Sequence, residues 1–167
     1  MTRRSTGIAC TLRDTGPADI PVLHRLMREF AIYERLEHRF TVTAAQLDAA
    51  LFGARPALYS ILAEADGATV GFALWYFTFG SFSGNHGLFV EDVFVAQPYR
   101  GRGIGLALFR HMARIALERQ CTEMAWNVLD WNTPAIEFYR RIGAQPVTND
   151  LAMHELSGDA ILALARA

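Results

Sequence analysis

A strand that stops at a proline and passes into a helix through alternating glycines constrains this chain more than any other feature. The segment runs Leu88-Phe-Val-Glu-Asp-Val-Phe-Val-Ala-Gln-Pro-Tyr-Arg-Gly-Arg-Gly-Ile-Gly105. Leu88 to Val95 reads as an apolar strand, and Pro98, which lacks a backbone donor, forbids its continuation. A helix is expected from Ile104 to Gln120. Its first N–H groups have no carbonyl one turn earlier and attract anions. Gly101, Gly103 and Gly105 carry no Cβ, so a phosphate can approach successive N–H groups, and Arg100 and Arg102 add positive charge. The spacing R-x-x-G-x-G suits pyrophosphate, although a tight surface turn before a helix uses the same residues. A dinucleotide fingerprint fits poorly, because Leu108 stands where its third glycine belongs, and a Walker loop is excluded by the lack of G-K-[ST].

With 167 residues, 51% of them apolar, the chain suffices for one compact domain with a sizeable core, expected to span residues 1–167. Sixteen basic against seventeen acidic residues leave a formal charge of -1, which gives no electrostatic reason to bind nucleic acid or an anionic membrane. All the basic residues are Arg, so Schiff-base and other lysine chemistry is ruled out. Cys10 and Cys121 have neither zinc-ligand nor disulfide-framework spacing and are expected as buried thiols. The five histidines likewise show no metal spacing, and no metal is expected. Arg3-Arg4 is not followed by the apolar stretch of an export signal, and Val70 to Phe79 is too short to span a bilayer. A cytoplasmic protein is expected.

The elements follow from periodicity and punctuation. A strand is expected at Ile8 to Leu12, a helix opening at Pro17-Ala-Asp19 and ending near Tyr33-Glu34, and a second helix from the capping box Thr43-Ala-Ala-Gln46 to about Phe52. Leu58 to Glu64 and Thr69 to Phe79 flank Asp66-Gly67, a hairpin signal, and a second hairpin runs through Gly80 to Gly87. After the glycine loop and its helix come a strand Glu123 to Leu129, a helix from about Pro134 to Ile142, a strand Leu151 to Leu156 and a short helix Ala160 to Arg166.

This order, Arg100-Gly101-Arg102-Gly103-Ile104-Gly105, and the later Asn132 with Phe138-Tyr139 together resemble the GCN5-related N-acetyltransferase (GNAT) superfamily over nearly the whole chain. Within it the sequence is most similar to diamine acetyltransferases of the spermidine/spermine and thialysine kind. The residues that carry this are Tyr33-Glu34, Gly71-Phe72-Ala73, Tyr76-Phe77-Thr78, Glu91-Asp92 before Tyr99-Arg100-Gly101, and Trp131-Asn132 followed by Pro134 and Phe138-Tyr139. The resemblance implies a single α+β (α/β) domain with a mixed, mostly antiparallel sheet, splayed central strands and flanking helices. It implies acetyl-CoA as cosubstrate, a primary amine of a small cationic substrate as acceptor, and direct transfer in a ternary complex. A homodimer is also implied.

By the same resemblance, backbone groups of Val93, Phe94 and Val95 pair with the pantetheine arm, while Arg100, Gly101, Arg102, Gly103, Ile104 and Gly105 wrap the pyrophosphate. Asn132 and Thr133 are further cofactor contacts, or simple caps of the helix that follows. The acceptor must be a neutral amine, so a carboxylate has to take up a proton that an alkylammonium holds to a pKa of roughly 10. Glu91 and Asp92 stand in an otherwise apolar strand, where charge is costly. A regular strand sends them to opposite faces, and only a bulge, which the resemblance implies, lets both reach one pocket. Glu91 is the expected general base and Asp92 its electrostatic partner toward the substrate; otherwise one faces solvent and the other makes an ion pair. Tyr139 is the expected proton donor to the leaving thiolate, or else a core tyrosine beside Phe138. Tyr33 and Glu34 are acceptor-pocket candidates, or solvated helix-end residues. Trp75, Tyr76, Phe77, Phe79 and Phe82 are read as core or dimer contacts.

The chain also departs from the polyamine enzymes. Phe79-Gly80-Ser81-Phe82 stands where they carry an acid and a tryptophan, and Leu151-Ala152 where they carry a tryptophan and an arginine. The missing acid removes one partner for a distant ammonium, which counts against long polyamines and leaves a shorter amine, a thialysine-like amino acid or an unrelated primary amine as acceptor. The competing functions are a protein or peptide N-acetyltransferase and a non-catalytic CoA-binding module.

Overall fold

Near-continuous apolar runs in the central strands build a sheet that is buried on both faces, and helices supply the cover. The computed structural model describes residues 10–147 and 154–166. Arg3-Arg4, Ile8 and Ala9 of the expected first strand, and residues 151–153 of the expected last one lie outside them. The chain divides into two compact units at Leu129 and Asp130.

In the first unit, β1 (Thr11–Asp14), β2 (Tyr59–Ala65), β3 (Ala68–Phe79), β4 (His86–Val95) and β5 (Cys121–Trp126) form one sheet in the order β1-β2-β3-β4-β5. The first three pairings are antiparallel and β4 with β5 is parallel. This is the mixed, mostly antiparallel α+β arrangement that the resemblance implies. The β2–β3 hairpin turns at Asp66 (φ 53°) and Gly67 (φ 76°), the two positive φ values that its short turn requires. The second expected hairpin forms as well, joining Phe79 to His86.

Helix α1 (Ile20–Tyr33) and helix α2 (Ala44–Phe52) cover one face. Thr43 and Gln46 form the expected capping box at the start of α2. Ile20, Leu23 and Leu26 of α1 and Leu47 and Leu51 of α2 pack with Leu62, Phe72, Leu74 and Phe94 of the sheet. Each fully buried leucine of that cluster contributes about 1.5–3 kcal/mol. Ile61, Ala63, Ala73 and Trp75, alternating with these, are also buried but face the other way. Helix α3 (Ile104–Glu118) buries Ile104, Leu108, Phe109, Met112 and Ala116, and Phe109 meets Trp126 of β5 edge-on at 5.0 Å.

Several boundaries differ from expectation. β1 begins at Thr11, so Cys10 precedes the strand, and both cysteines are half-buried rather than buried. β5 spans Cys121–Trp126 instead of Glu123 to Leu129, because its parallel ladder starts opposite His86 and ends opposite Val90. Periodicity within one strand cannot locate where a parallel partner diverges. Trp75 is buried, whereas Phe79 (62%) and Phe82 (106%) are exposed and form no part of the core.

The second unit contains α4 (Thr133–Arg141) and α5 (Asp159–Arg166). Asn132 is buried and caps α4, its side-chain oxygen accepting from the Ala135 N–H at 3.4 Å. Pro134 occupies the first turn, and Gly143 (φ 92°) follows its end. His154 to Leu156, the described part of the expected last strand, is not strand.

Candidate active site

The strand β4 is regular against β3 up to Val90, opposite Trp75, and again from Asp92, opposite Leu74. Glu91 is the extra residue between them, a β-bulge. The bulge breaks strict alternation at the one place where two carboxylates are adjacent. Glu91 is exposed and Asp92 is partly covered. The Asp92 carboxyl is pushed up to about 7, first by burial and then by the negative charges of Glu91 and Glu34. A carboxyl at that value exchanges its proton near neutrality, as a general base must.

Glu34 is brought to this cluster by the way α1 ends. The Leu36 N–H donates to the Ala31 carbonyl at 2.8 Å and the Arg35 N–H to the Ile32 carbonyl at 3.0 Å, which closes a Schellman motif with Arg35 in the left-handed region (φ 63°). The motif holds Tyr33 and Glu34 on the final turn. Burial raises the Glu34 carboxyl above its ordinary value. Tyr76 of β3, stacked on Phe89 at 5.2 Å, has its phenol raised by burial and by the charge of Glu91. Tyr33, Glu34, Tyr76, Glu91 and Asp92 thus gather from three elements. From sequence Tyr76 reads as a core or dimer contact. Its signal was the two-residue step that places Tyr76, but not Trp75, on the α1 face with Phe72 and Leu74.

Beyond Val90, β4 has no β5 partner, so the two strands splay. The Ala96 N–H bonds the Val70 carbonyl at 2.8 Å, and alternation therefore turns the backbone groups of Phe94 toward β3 and those of Val93 and Val95 away from it. The latter form an edge next to the acid cluster, on which the Val95 carbonyl accepts from Arg100. Gly71 permits the close approach of β3 and β4, since a Cβ there would lie 2.6 Å from the Phe94 carbonyl oxygen.

The glycine loop follows. Gly101 (φ 73°) and Gly103 (φ 86°, the N-cap of α3) adopt backbone conformations that strain other residues. Gly105 differs. Its φ is ordinary, and a Cβ built on it meets nothing within 4 Å, so its lack of a side chain serves open space over the first turn of α3. Gly103 supplies no side-chain cap, leaving that turn's N–H groups to a ligand. Arg100 donates from Nε to the Val95 carbonyl at 2.8 Å and lies 4.1 Å from the Tyr33 ring centroid. Arg102 stands 3.7 Å from Asp66. Ile104 is buried and anchors the helix start.

A backbone edge and an N–H cradle fit the pantetheine and pyrophosphate of CoA. Asn132, Thr133 and Tyr139 belong to the second unit, where Asn132 and Thr133 open α4 and Tyr139 lies on it, its ring edge-on to Phe138 at 5.6 Å. Among the described residues no group of His, Cys, Asp and Glu side chains is arranged to hold a metal ion, and no helix is long and apolar enough to cross a membrane.

A strand edge, a glycine-turned helix N-terminus and a cluster of carboxylates thus lie along one strand and its loop. The chain belongs to the acetyltransferase (GNAT) family, which it matches over residues 21–144. It is 32% identical over 164 residues to a thialysine N-epsilon-acetyltransferase of Bos taurus, covering 92% of this chain and 96% of that protein. It is 34% identical over 150 residues to the Homo sapiens spermidine/spermine N(1)-acetyltransferase-like protein 1, covering 86% of this chain and 21% of that longer one. A solved integron cassette protein from the V. cholerae mobile metagenome shares the fold at a TM-score of 0.76 and 24% identity, covering 96% of this chain and 100% of that one. The chain is an acetyl-CoA-dependent amine N-acetyltransferase.

Proposed function

We propose that the protein acetylates a primary amine of a small cationic substrate, a short diamine or a thialysine-like amino acid, by direct transfer in a ternary complex. The observation that carries this is the carboxylate cluster at the β4 bulge, in which Asp92 is pushed up to about 7 beside Glu91 and Glu34. Three acids favour a cation, and one that exchanges protons near neutrality can strip it of one.

Acetyl-CoA supplies, when bound, an acyl group activated as a thioester. Val93 and Val95, whose backbone groups face away from β3, hold its pantetheine by strand-like pairing, while those of Phe94, expected to share in it, are committed to β3; residues 100–105 hold its pyrophosphate, and Asn132 and Thr133 add contacts at the start of α4. Tyr33 and Glu34 receive the substrate's charge. Glu91 and Asp92 act as one proton-accepting unit. The sequence alone favoured Glu91 as the base; because burial and then the charge of Glu91 push the Asp92 carboxyl up to about 7, we assign Asp92 the proton and Glu91 the charge that tunes it. Tyr139 Oη provides the proton that a departing thiolate needs. Neither Cys10, ahead of β1, nor Cys121, paired with His86 at the far end of β4, belongs to this group, which favours direct transfer over an acyl-enzyme. We further read the chain as a single domain, on its length, and as a homodimer, on the family resemblance.

Free-thiol release from acetyl-CoA across thialysine, short diamines, spermidine, spermine, an aminoglycoside and a peptide tests the substrate class. Thialysine or a short diamine is expected to give the highest kcat/KM, with spermine below it for want of an acid in the 79–82 hairpin. A peptide as best acceptor would indicate a protein acetyltransferase, and no response to any amine a CoA-binding module. Tyr139→Phe is expected to lower kcat about 10²–10⁴-fold, the range for loss of a general acid, with CoA affinity nearly unchanged. An equal loss of kcat and CoA affinity would remove the proton-donor role.

A further inference from the structure

We propose that Arg100 is a positioning residue that links the cofactor edge of β4 to the amine end of α1, so that CoA binding is transmitted to Tyr33. This rests on the reading of Tyr33 and Glu34 as the acceptor pocket. Three contacts of one guanidinium carry it. Nε donates to the Val95 carbonyl at 2.8 Å, on the edge assigned to pantetheine. Cζ lies 4.1 Å from the Tyr33 ring centroid and 5.4 Å from that of Phe94. Phe94 in turn lies 5.6 Å from Phe30, one turn back on α1. Guanidinium, two rings and a carbonyl thus join the last turn of α1 to the end of β4.

A guanidinium is rigid and planar. With Nε committed to a carbonyl and one face laid on a ring, its remaining N–H edge is what it can offer to an anion at the glycine loop. An anion drawn to that edge moves the whole plane, and with it the face that Tyr33 rests against. Arg102 serves a different neighbourhood, near Asp66 at 3.7 Å and over Tyr99 at 5.2 Å. The two loop arginines therefore divide the work: Arg102 supplies charge toward the β2–β3 turn, and Arg100 sets the wall of the acceptor pocket. Lysine keeps the charge at position 100 but has neither the planar face nor the Nε donor.

The test has a structural and a kinetic arm. With ring-labelled tyrosine the chain gives signals from five residues, and Tyr33→Phe assigns one of them. Titration with CoA is expected to move the Tyr33 ring signals in the wild type, and to move them little in Arg100→Lys at saturating CoA. In the kinetic arm, Arg100→Lys and Tyr33→Leu are each expected to raise the KM of the best panel amine about tenfold, and the double variant by no more than about tenfold, since they break one contact. A Tyr33 shift that survives in Arg100→Lys, or effects that multiply in the double variant, would overturn the link while leaving the acceptor pocket standing. An unchanged amine KM in Tyr33→Leu would remove the pocket reading and the role of Arg100 with it.

Discussion

Asp92→Asn is expected to lower kcat about 10²–10⁴-fold, the range for loss of a general base, while making the protein more stable at alkaline pH. Both effects have one cause. The unfolded chain releases this proton near its ordinary value of about 3.9, whereas the native state holds it to about 7. Between those values the native state binds the proton more tightly, so the stability that protonated Asp92 permits is complete below about pH 4. It is lost as pH rises through about 7. Roughly three units at 1.36 kcal/mol each set an upper bound of about 4 kcal/mol. The asparagine variant does not titrate, and we expect it to exceed the wild type by about 2–4 kcal/mol at pH 8 and by nearly nothing at pH 4. Chemical denaturation at the two pH values measures this. The wild-type kcat/KM should fall on the acid side near pH 7, and Glu91→Gln should move that limb lower by removing a neighbouring negative charge. Equal stability differences at pH 4 and pH 8, or undiminished turnover, would end the assignment of Asp92 as proton acceptor.

Such a trade is expected where function needs a charge in a costly place. It also marks how far the sequence reaches. The strand, glycine loop and helix from Leu88 to Glu118 were legible because proline, glycine and apolar spacing act locally. The capping box at Thr43 and the turn at Asp66-Gly67 were legible for the same reason. The adjacent carboxylates of β4 were visible as an anomaly, but the rise of the Asp92 carboxyl comes from burial, then Glu91, and then Glu34, 58 positions away and delivered by a Schellman turn with arginine where glycine is usual. The contact of Arg100 with Tyr33 is equally non-local, and nothing in the spacing of either residue announces it. β5 was misplaced because its limits are set by the strand beside it.

Gly105→Leu separates the needs of the fold from those of the ligand. At Gly101 and Gly103 the two cannot be told apart, because any side chain at positive φ strains the backbone whether or not it blocks a phosphate. Gly105 has an ordinary helical backbone and open space where its Cβ would stand. Replacing a helical glycine with leucine should therefore stabilise α3 by about 0.5–1 kcal/mol. The same side chain projects over the first-turn N–H groups proposed to hold the pyrophosphate. A hydrogen bond to a charged group contributes about 1.5–3 kcal/mol, so displacing the anion from one or two of these donors should weaken CoA binding about 100-fold or more. Calorimetric titration with CoA and a thermal melt read the two effects on the same sample. A raised Tm with a hundredfold weaker CoA complex is the expected pair. Unaltered CoA affinity in a variant that folds normally would mean that the glycines merely turn the chain. If affinity instead fell only in step with a lowered Tm, the effect would belong to the helix rather than to the ligand.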